Sequence, residues 1–269
     1  GFQNSSEMLH MSITQLETYR EIASTAITRA VALEPRPDEL RWNIPMQAAA
    51  ARHWSDQEKQ IAELTEQFRK DGDKQKHQQE LNKLIEQFRQ PHNNTYYRDL
   101  QSGRTVRSSW QYYGAKYAHA PTTSSNDIPA KPTHVAIIPR GQFLIIELGN
   151  QIPPEGTLRV RVRASQTLQT SSTPPSLRLE FGWRASNDSR ALIRLSEHDL
   201  QIYAKSENPQ FYQWEIPLGN IYPRNSVRTT AKMGATPNPS EYIRLLNSSI
   251  SQGHIQIDHV EITGPIHKQ

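Results

Sequence analysis

The clearest pattern of hydrophobic and polar positions lies near the C-terminal end of the chain. Ile255 and Ile257 alternate with polar residues, and Val260 and Ile262 then alternate on the opposite phase, on the other side of Asp258. Alternation with period two indicates a strand with one buried face, and the change of phase predicts a β-bulge. A Gly-Pro step ends the pattern, because proline has no N–H for a ladder. The segment therefore predicts the closing strand of a β-sandwich, an architecture typical of binding modules.

Helical periodicity dominates the N-terminal third of the chain. A capping box that begins at Ser12 starts an amphipathic helix, which Pro35 ends. A second capping box at Ser55 predicts the start of another helix. Two apolar seams with the same spacing follow: Ile61, Leu64 and Phe68, then Leu81, Leu84 and Phe88. With a turn at Gly72, these seams predict an antiparallel helical hairpin over about 53–90, which serves either as a solvated spacer or as a partner-binding arm.

After Tyr96, short alternating segments replace the helical period. Nine such segments, separated by Pro-rich breakers, span residues 133–139, 142–148, 157–164, 176–183, 191–195, 200–204, 211–218, 242–246 and 255–262. Short strands without intervening helices predict an antiparallel sandwich and exclude a parallel α/β core. The predicted fold class is thus α+β. A helical segment with a protruding helical hairpin occupies residues 1–94, and a jelly-roll-like β-sandwich occupies residues 95–269, with no strand before Gln90.

Composition limits the classes of function. Hydrophobic residues make up 35% of the 269 residues and the mean hydropathy is −0.76, which indicates a compact part beside a strongly solvated part. Cysteine is absent, which excludes disulfides, thiolate metal sites and covalent haem attachment within this piece of chain. No apolar run approaches the roughly 18 residues that a membrane span needs, so no membrane-spanning segment is predicted. The first residue is Gly1 rather than methionine, which indicates a piece of a longer protein.

Charge and motifs point away from nucleic acids and from catalysis. The net charge is only +4, and Arg159, Arg161 and Arg163 alternate within one predicted strand. This arrangement favours a solvated strand face over a nucleic-acid patch, so no nucleic-acid partner is predicted. The ten histidines show no metal-binding spacing, and the sequence contains no nucleophile elbow or phosphate loop. A hydrolase is therefore the third-ranked class, behind a binding module and a structural domain.

The densest aromatic cluster is a candidate ligand-binding site. Trp110, Tyr112 and Tyr113 fall within a few residues of one another. Aromatic faces stack on sugar rings, but aromatic side chains at this spacing also fill cores and interfaces between domains. Both interpretations stay open. Trp183 and Trp214 lie inside alternating strands, and we expect them in the core.

Two motifs at opposite ends of the chain carry a resemblance to a known family. The N-terminal motif comprises Phe2, Asn4, Leu9, Ser12, Leu16, Tyr19 and Ala23, and the C-terminal motif is the closing strand from Ile257 to Pro265. Together they resemble large secreted planctomycete proteins that combine a c-type cytochrome domain with domains of unknown function. The resemblance implies an exported protein, periplasmic or extracellular, with haem outside this piece and no cofactor of that kind within it.

The same resemblance implies that the sandwich is similar to calcium-dependent, xylan-binding carbohydrate-binding modules. In such modules an Asp of the last strand helps to hold a structural calcium, and Asp258 stands at that position. Paired glutamates are expected on an early strand, whereas only Glu147 is present. Because calcium needs about six to eight oxygen ligands, Asp258 is either a calcium ligand or a residue that turns a bulge or pairs with a neighbouring arginine.

Two functional hypotheses follow. The first is a non-catalytic module that binds a polysaccharide within a larger exported cytochrome-type protein. The second is a structural or docking domain, which positions haem and the other domains of the same chain through the helical hairpin. Neither hypothesis makes this piece an enzyme.

Overall fold

The computed structural model describes residues 12–33, 38–71, 74–108, 117–122, 128–167, 173–184, 190–221, 232–233, 236–237, 240–250 and 253–266. The α-helices within these ranges are α1 (Ile13–Leu33), α2 (Met46–Asp71) and α3 (Lys74–Phe88). The strands are β1 (Leu40–Pro45), β2 (Tyr96–Asp99), β3 (Thr105–Arg107), β4 (His134–Ile138), β5 (Phe143–Gly149), β6 (Thr157–Thr167), β7 (Ser176–Arg184), β8 (Arg190–Arg194), β9 (Leu200–Gln201), β10 (Gln210–Pro217), β11 (Lys232–Met233), β12 (Thr236–Pro237), β13 (Ser240–Asn247) and β14 (His254–Ile266). A short 3-10 helix, Leu218–Asn220, follows β10.

The chain divides into two compact units, residues 1–38 and residues 39–269. The first unit contains α1, and its capping box is formed as predicted. The Ser12 N–H donates to Gln15 Oε1 at 3.0 Å, and the Gln15 N–H donates to Ser12 Oγ at 3.2 Å. The predicted stop at Pro35 lies outside the described residues.

The second unit is built on two antiparallel sheets. The larger sheet has the strand order β10-β6-β14-β4-β2-β3, and β1 pairs with β14 beside β4. The smaller sheet has the order β5-β13-β7-β8, and β9 pairs with β7. The short strands β11 and β12 pair with each other. Every pair of named strands is antiparallel, as the sequence predicts.

Alternate residues of both sheets meet in one core. From the larger sheet, β6 contributes the fully buried Leu158, Val160 and Val162. From the smaller sheet, β7 contributes Leu179 and Phe181 to the same cluster. Two sheets that face each other across a shared apolar core form a β-sandwich. The side chains on the opposite phase of each strand therefore lie on the outer faces, where some of them, such as Val135 and Ile137, are buried in a second small cluster.

All nine strands predicted from alternation are present, with ends that differ by a few residues. The predicted bulge is also confirmed, because the pairing of β14 with β6 shifts register between Ile257 and His259. Trp183 and Trp214 are buried in the core cluster, as expected.

The prediction that no strand precedes Gln90 is wrong. Strand β1 pairs with β14 from Leu40 opposite Gly264 to Pro45 opposite His259. Trp42 of this strand belongs to the core of the sandwich. The predicted boundary between residues 94 and 95 therefore does not separate the helices from the sandwich.

The second helix begins earlier than its capping box predicts. Helix α2 starts at Met46, and Ser55 lies inside it, with its hydroxyl donating to the carbonyl of Arg52 at 3.2 Å. A run of four alanines from residue 48 to residue 51, the best helix formers, extends the helix towards its N-terminus. Helices α2 and α3 contact each other through Phe68 and His77, whose stacked rings have centroids 4.8 Å apart.

Candidate ligand-binding cleft

The site lies along β5, at the edge of the smaller sheet. Leu144 and Ile146 of this strand point into the core, so Phe143, Ile145 and Glu147 share the outer face. The alternation that predicted the strand thus also places one aromatic, one aliphatic and one acidic side chain in a row. This row forms one wall of a cleft.

An exposed aromatic ring marks one end of the cleft. Phe143 is 39% exposed, and the guanidinium of Arg244 lies 4.6 Å from the centre of its ring. Arg244 belongs to the neighbouring strand β13, and its Nε donates to the carboxylate of Glu180 on β7. The ion pair fixes the guanidinium beside the ring, since a charged hydrogen bond is stronger than a neutral one. The planar set of donors therefore lies over one face of the aromatic ring.

Polar side chains surround Phe143 in a cavity of 230 Å³. With the Asn94 amide oriented to satisfy its neighbours, its oxygen accepts from Arg107 Nε and Nη2 at 3.2 and 2.9 Å, and its nitrogen donates to Gln142 Oε1 at 3.2 Å. The Thr95 hydroxyl donates to the Phe143 carbonyl at 2.8 Å. These hydrogen bonds hold donors and acceptors in fixed positions around the ring.

A second cavity, of 180 Å³, continues along β5 beyond Ile145. Glu147 lies in its wall, 3.9 Å from the nearest guanidinium nitrogen of Arg52 on α2. The same guanidinium lies 4.9 Å from the centre of the Tyr117 ring. The small alanine side chains of α2 leave room here for the cavity between the helix and the strand. The two cavities share Ile145 in their walls and follow each other along β5 at the edge of the sandwich, and we call the pair the cleft.

The imidazoles around the second cavity are neutral at neutral pH. Burial and, second to it, the positive charge of Arg52 lower the pKa of His119 to about 4. Burial and Arg52 lower the pKa of His53 to about 4 in the same way. The neutral ring of His119, which lines the cavity, therefore carries one donor and one acceptor rather than a positive charge, whereas the Nε2 of His53 already accepts from Arg52 Nε at 3.2 Å.

The predicted aromatic site falls outside the described residues. Trp110, Tyr112 and Tyr113 lie in the sequence between Ser108 and Tyr117, which are the nearest described residues on either side. Ser108 lines the first cavity and Tyr117 lines the second.

The structure places Asp258 at the bulge of β14, where it pairs with an arginine. Arg163 Nε donates to Asp258 Oδ1 at 2.5 Å, and both side chains are nearly inaccessible to solvent. Burial raises the pKa of the Asp258 carboxyl, and the hydrogen bond from Arg163 opposes that rise. The alternative interpretation of Asp258, as a bulge residue paired with an arginine, matches this geometry. A guanidinium at this distance repels a second cation, so calcium binding at Asp258 stays a prediction without structural support.

Sequence reasoning missed Phe143 and Arg244 as site residues. Each belongs to a correctly predicted strand and alternates with the residues that face the core. This alternation could have identified both as outward-facing side chains. Their proximity depends on the pairing of β5 with β13, which no local pattern reveals. Among the described residues, no three His, Asp or Glu side chains are grouped closely enough to hold a metal ion. No helix within the same ranges is long and apolar enough to cross a membrane.

Comparison with known proteins gives only weak likenesses. No protein-family model matches the chain, and no curated protein matches it. The CBM22-1 xylan-binding domain from Paenibacillus barcinonensis is 7% identical with a TM-score of 0.32, over 53% of this chain and 80% of that chain. A family 16 carbohydrate-binding module is 10% identical with a TM-score of 0.27, over 49% and 78% of the two chains. The adhesin domain of Lys-gingipain from Porphyromonas gingivalis is 14% identical with a TM-score of 0.28, over 49% and 75%. Because all three TM-scores are below 0.5, these likenesses carry no argument about function.

Proposed function

We propose that this chain is a non-catalytic module that binds a polysaccharide in the cleft along β5. The observation that carries the proposal is the exposed ring of Phe143, held beside the guanidinium of Arg244 at the mouth of a polar cleft. A sugar ring has an apolar face of C–H groups and a rim of hydroxyls. The aromatic ring matches the face, and the guanidinium and amide groups match the hydroxyls.

The length of the cleft supports a chain of sugars over a single sugar. It runs from Gln142 at one end of β5 to Glu147 near the other, with hydrogen-bonding side chains at both ends. His119 is neutral, and the charges of Arg52 and Glu147 are paired with each other. Such a wall favours the hydroxyl groups of a sugar over a charged ligand, because a hydroxyl group both donates and accepts hydrogen bonds. We include Trp110, Tyr112 and Tyr113 in this proposal as further stacking residues.

The test is a pull-down on insoluble xylan and cellulose, with and without calcium. Phe143→Ala is expected to weaken retention about two- to tenfold, because about 0.5–1.5 kcal/mol of stacking energy is lost. Phe211→Ala is a matched control. Phe211 is 36% exposed and lies 4.4 Å from the guanidinium of Arg161, but it belongs to the outer face of the larger sheet.

Equal retention of Phe143→Ala and the unchanged chain would move the binding site away from the cleft. Trp110→Ala then distinguishes binding at Phe143 from binding by the aromatic cluster. Loss of retention in Trp110→Ala alone assigns glycan binding to that cluster. Failure of the unchanged chain to bind any glycan on an array, with and without calcium, would remove the polysaccharide proposal altogether.

A second candidate function is docking through α2 and α3. We propose that the two helices form a protruding antiparallel hairpin, with an open groove of 440 Å³ between them. Leu64 and Leu84 line the groove among polar side chains such as Gln67 and Glu80. Such a groove fits an amphipathic helix from another domain of the same chain. Leu84→Ser should reduce cross-linking to the other domains of the longer protein, whereas the exposed Gln78→Ser should leave it unchanged.

We further propose that the chain is part of an exported protein that carries c-type haem elsewhere. The two terminal motifs of the sequence support this proposal. A Cys-x-x-Cys-His motif and an export signal in the flanking gene sequence are the expected findings. A flanking sequence with neither of them contradicts the cytochrome relationship, but leaves the glycan test above unaffected.

A further inference from the structure

A small cavity lies where α2 begins, beside the bulge of β14. Its volume is 120 Å³, several times the roughly 30 Å³ that one water molecule takes in the liquid. Met46 and Gln47 from the first turn of α2 line it, together with Lys131 and Thr133 from the segment before β4. It lies apart from the cleft along β5, and the two share no lining residue.

The charged side chains of the cavity give it a net positive charge. Arg163 and Lys131 are positive, and Asp258 is negative. Arg163 uses its Nε to bind Asp258, and within the described part of the chain its two terminal nitrogens make no hydrogen bond. The guanidinium therefore keeps donors for a ligand while its partner carboxylate holds it in place.

One buried side chain in the wall lacks a hydrogen-bond partner. His259 is 1% exposed, and its Nε2 makes no hydrogen bond in the described structure. An unpaired polar atom of this kind costs about 1–3 kcal/mol, and a ligand that pairs with it removes the cost. The first turn of α2 adds the positive end of a 26-residue helix and contains no acidic residue.

We propose that this cavity binds a small oxyanion, meaning a carboxylate, sulfate or phosphate group. The terminal nitrogens of Arg163, the ammonium of Lys131 and the Nε2–H tautomer of His259 are the donors. The N-terminus of α2 supplies a favourable field. Asp258 does not contact the anion, because it remains paired with Arg163.

The experiment is calorimetric titration of the chain with inorganic phosphate, sulfate and acetate at neutral pH and low salt. At least one of the three anions should bind saturably, and the order of affinities identifies the preferred oxyanion. Lys131→Ala should weaken that binding at least fivefold. Lys205→Ala removes the same charge from an exposed residue outside the cavity wall and should leave the affinity unchanged. His259→Asn should also weaken anion binding. Because His259 is buried, thermal melting must first show that this variant is folded.

Absence of saturable binding for all three anions overturns the proposal. Binding that Lys131→Ala and Lys205→Ala weaken equally also overturns it, because the anion would then respond only to net charge. Neither outcome bears on retention by xylan or cellulose, so the two proposals fail or succeed separately.

Discussion

Gly182 occupies the outer face of β7, where its lack of a side chain leaves space for the ring of Tyr242 on the paired strand β13. A Cβ atom at this position would overlap the ring. Gly182→Ala should therefore lower the free energy of unfolding by about 1–3 kcal/mol, the range for an overpacked site. Gly219→Ala is the matched control, because a Cβ there meets nothing within 4 Å. Urea denaturation of both variants checks the prediction, and equal midpoints would contradict it.

The ion pair of Asp258 and Arg163 is almost fully inaccessible, which separates it from the other ion pairs of the same sheet. Asp258→Ala leaves a buried guanidinium without a partner and should lower the free energy of unfolding by about 3–5 kcal/mol. Glu215→Ala breaks the exposed pair with Arg159 in the neighbouring row, and should cost at most about 1 kcal/mol. Thermal melting of both variants, with and without calcium, is the measurement. A calcium-dependent rise in Tm that Asp258→Ala abolishes would instead support calcium binding.

At this scale the sequence reveals which face a side chain occupies, but not what it meets there. Alternation alone places Trp183 and Trp214 in the core, because a strand has only two faces. The partner of Asp258 was foreseen only as a neighbouring arginine. Its identity as Arg163 depends on the register of β14 against β6 at the bulge, which is a property of the folded sheet.

Strand β1 is the first strand of the second unit, and it pairs with the closing strand β14. Its inward residues Trp42 and Ile44 are buried in the core, and the Trp42 indole N–H donates to the His119 carbonyl at 3.0 Å. Sequence analysis missed the strand because it is six residues long, and prolines and an alanine run surround it. Its pairing with β14 makes it a strand. The longer alternating segments could be identified as strands from their own sequence pattern, and they were predicted correctly.

Two truncations test the importance of β1. A chain that begins at Glu39 retains the whole second unit and should keep its Tm unchanged. A chain that begins at Met46 lacks β1 and its buried tryptophan, and should lose at least about 3–5 kcal/mol of stability or fail to fold. Similar melting curves for the two truncated chains would show that β1 does not contribute to the core.

At the scale of the whole molecule, buried histidines link stability to pH. Burial is the main cause that lowers the pKa of His53, His119 and His259 to about 4. In the unfolded chain each returns to about 6.5, so the unfolded state binds more protons between these two values. Stability is therefore fully present above pH 6.5 and is lost as the pH falls towards 4. The raised pKa of Asp258 acts in the opposite direction and offsets part of the loss.

Urea denaturation at a series of pH values should show this loss. The midpoint should fall continuously from pH 7 to pH 4.5, with about 3 kcal/mol contributed by the nearly inaccessible His259 at the end of the range. His259→Asn should flatten the dependence by the contribution of one histidine. A midpoint that stays constant over this interval would show that the histidines are not neutral and buried in the folded state.

The pairing of β1 with β14 also determines how the second unit responds to tension. Leu40 lies opposite Gly264, so the chain enters and leaves this unit at the same end of one antiparallel ladder. Force applied through residues 39 and 266 loads the hydrogen bonds of that ladder one pair after another, starting with the pair of Leu40 and Gly264. Strands that are pulled in opposite directions along their length instead share the load across all their bonds. Under stretching, the unit therefore yields at its first strand, and the indole of Trp42 is drawn out of the core while the remaining strands still hold together.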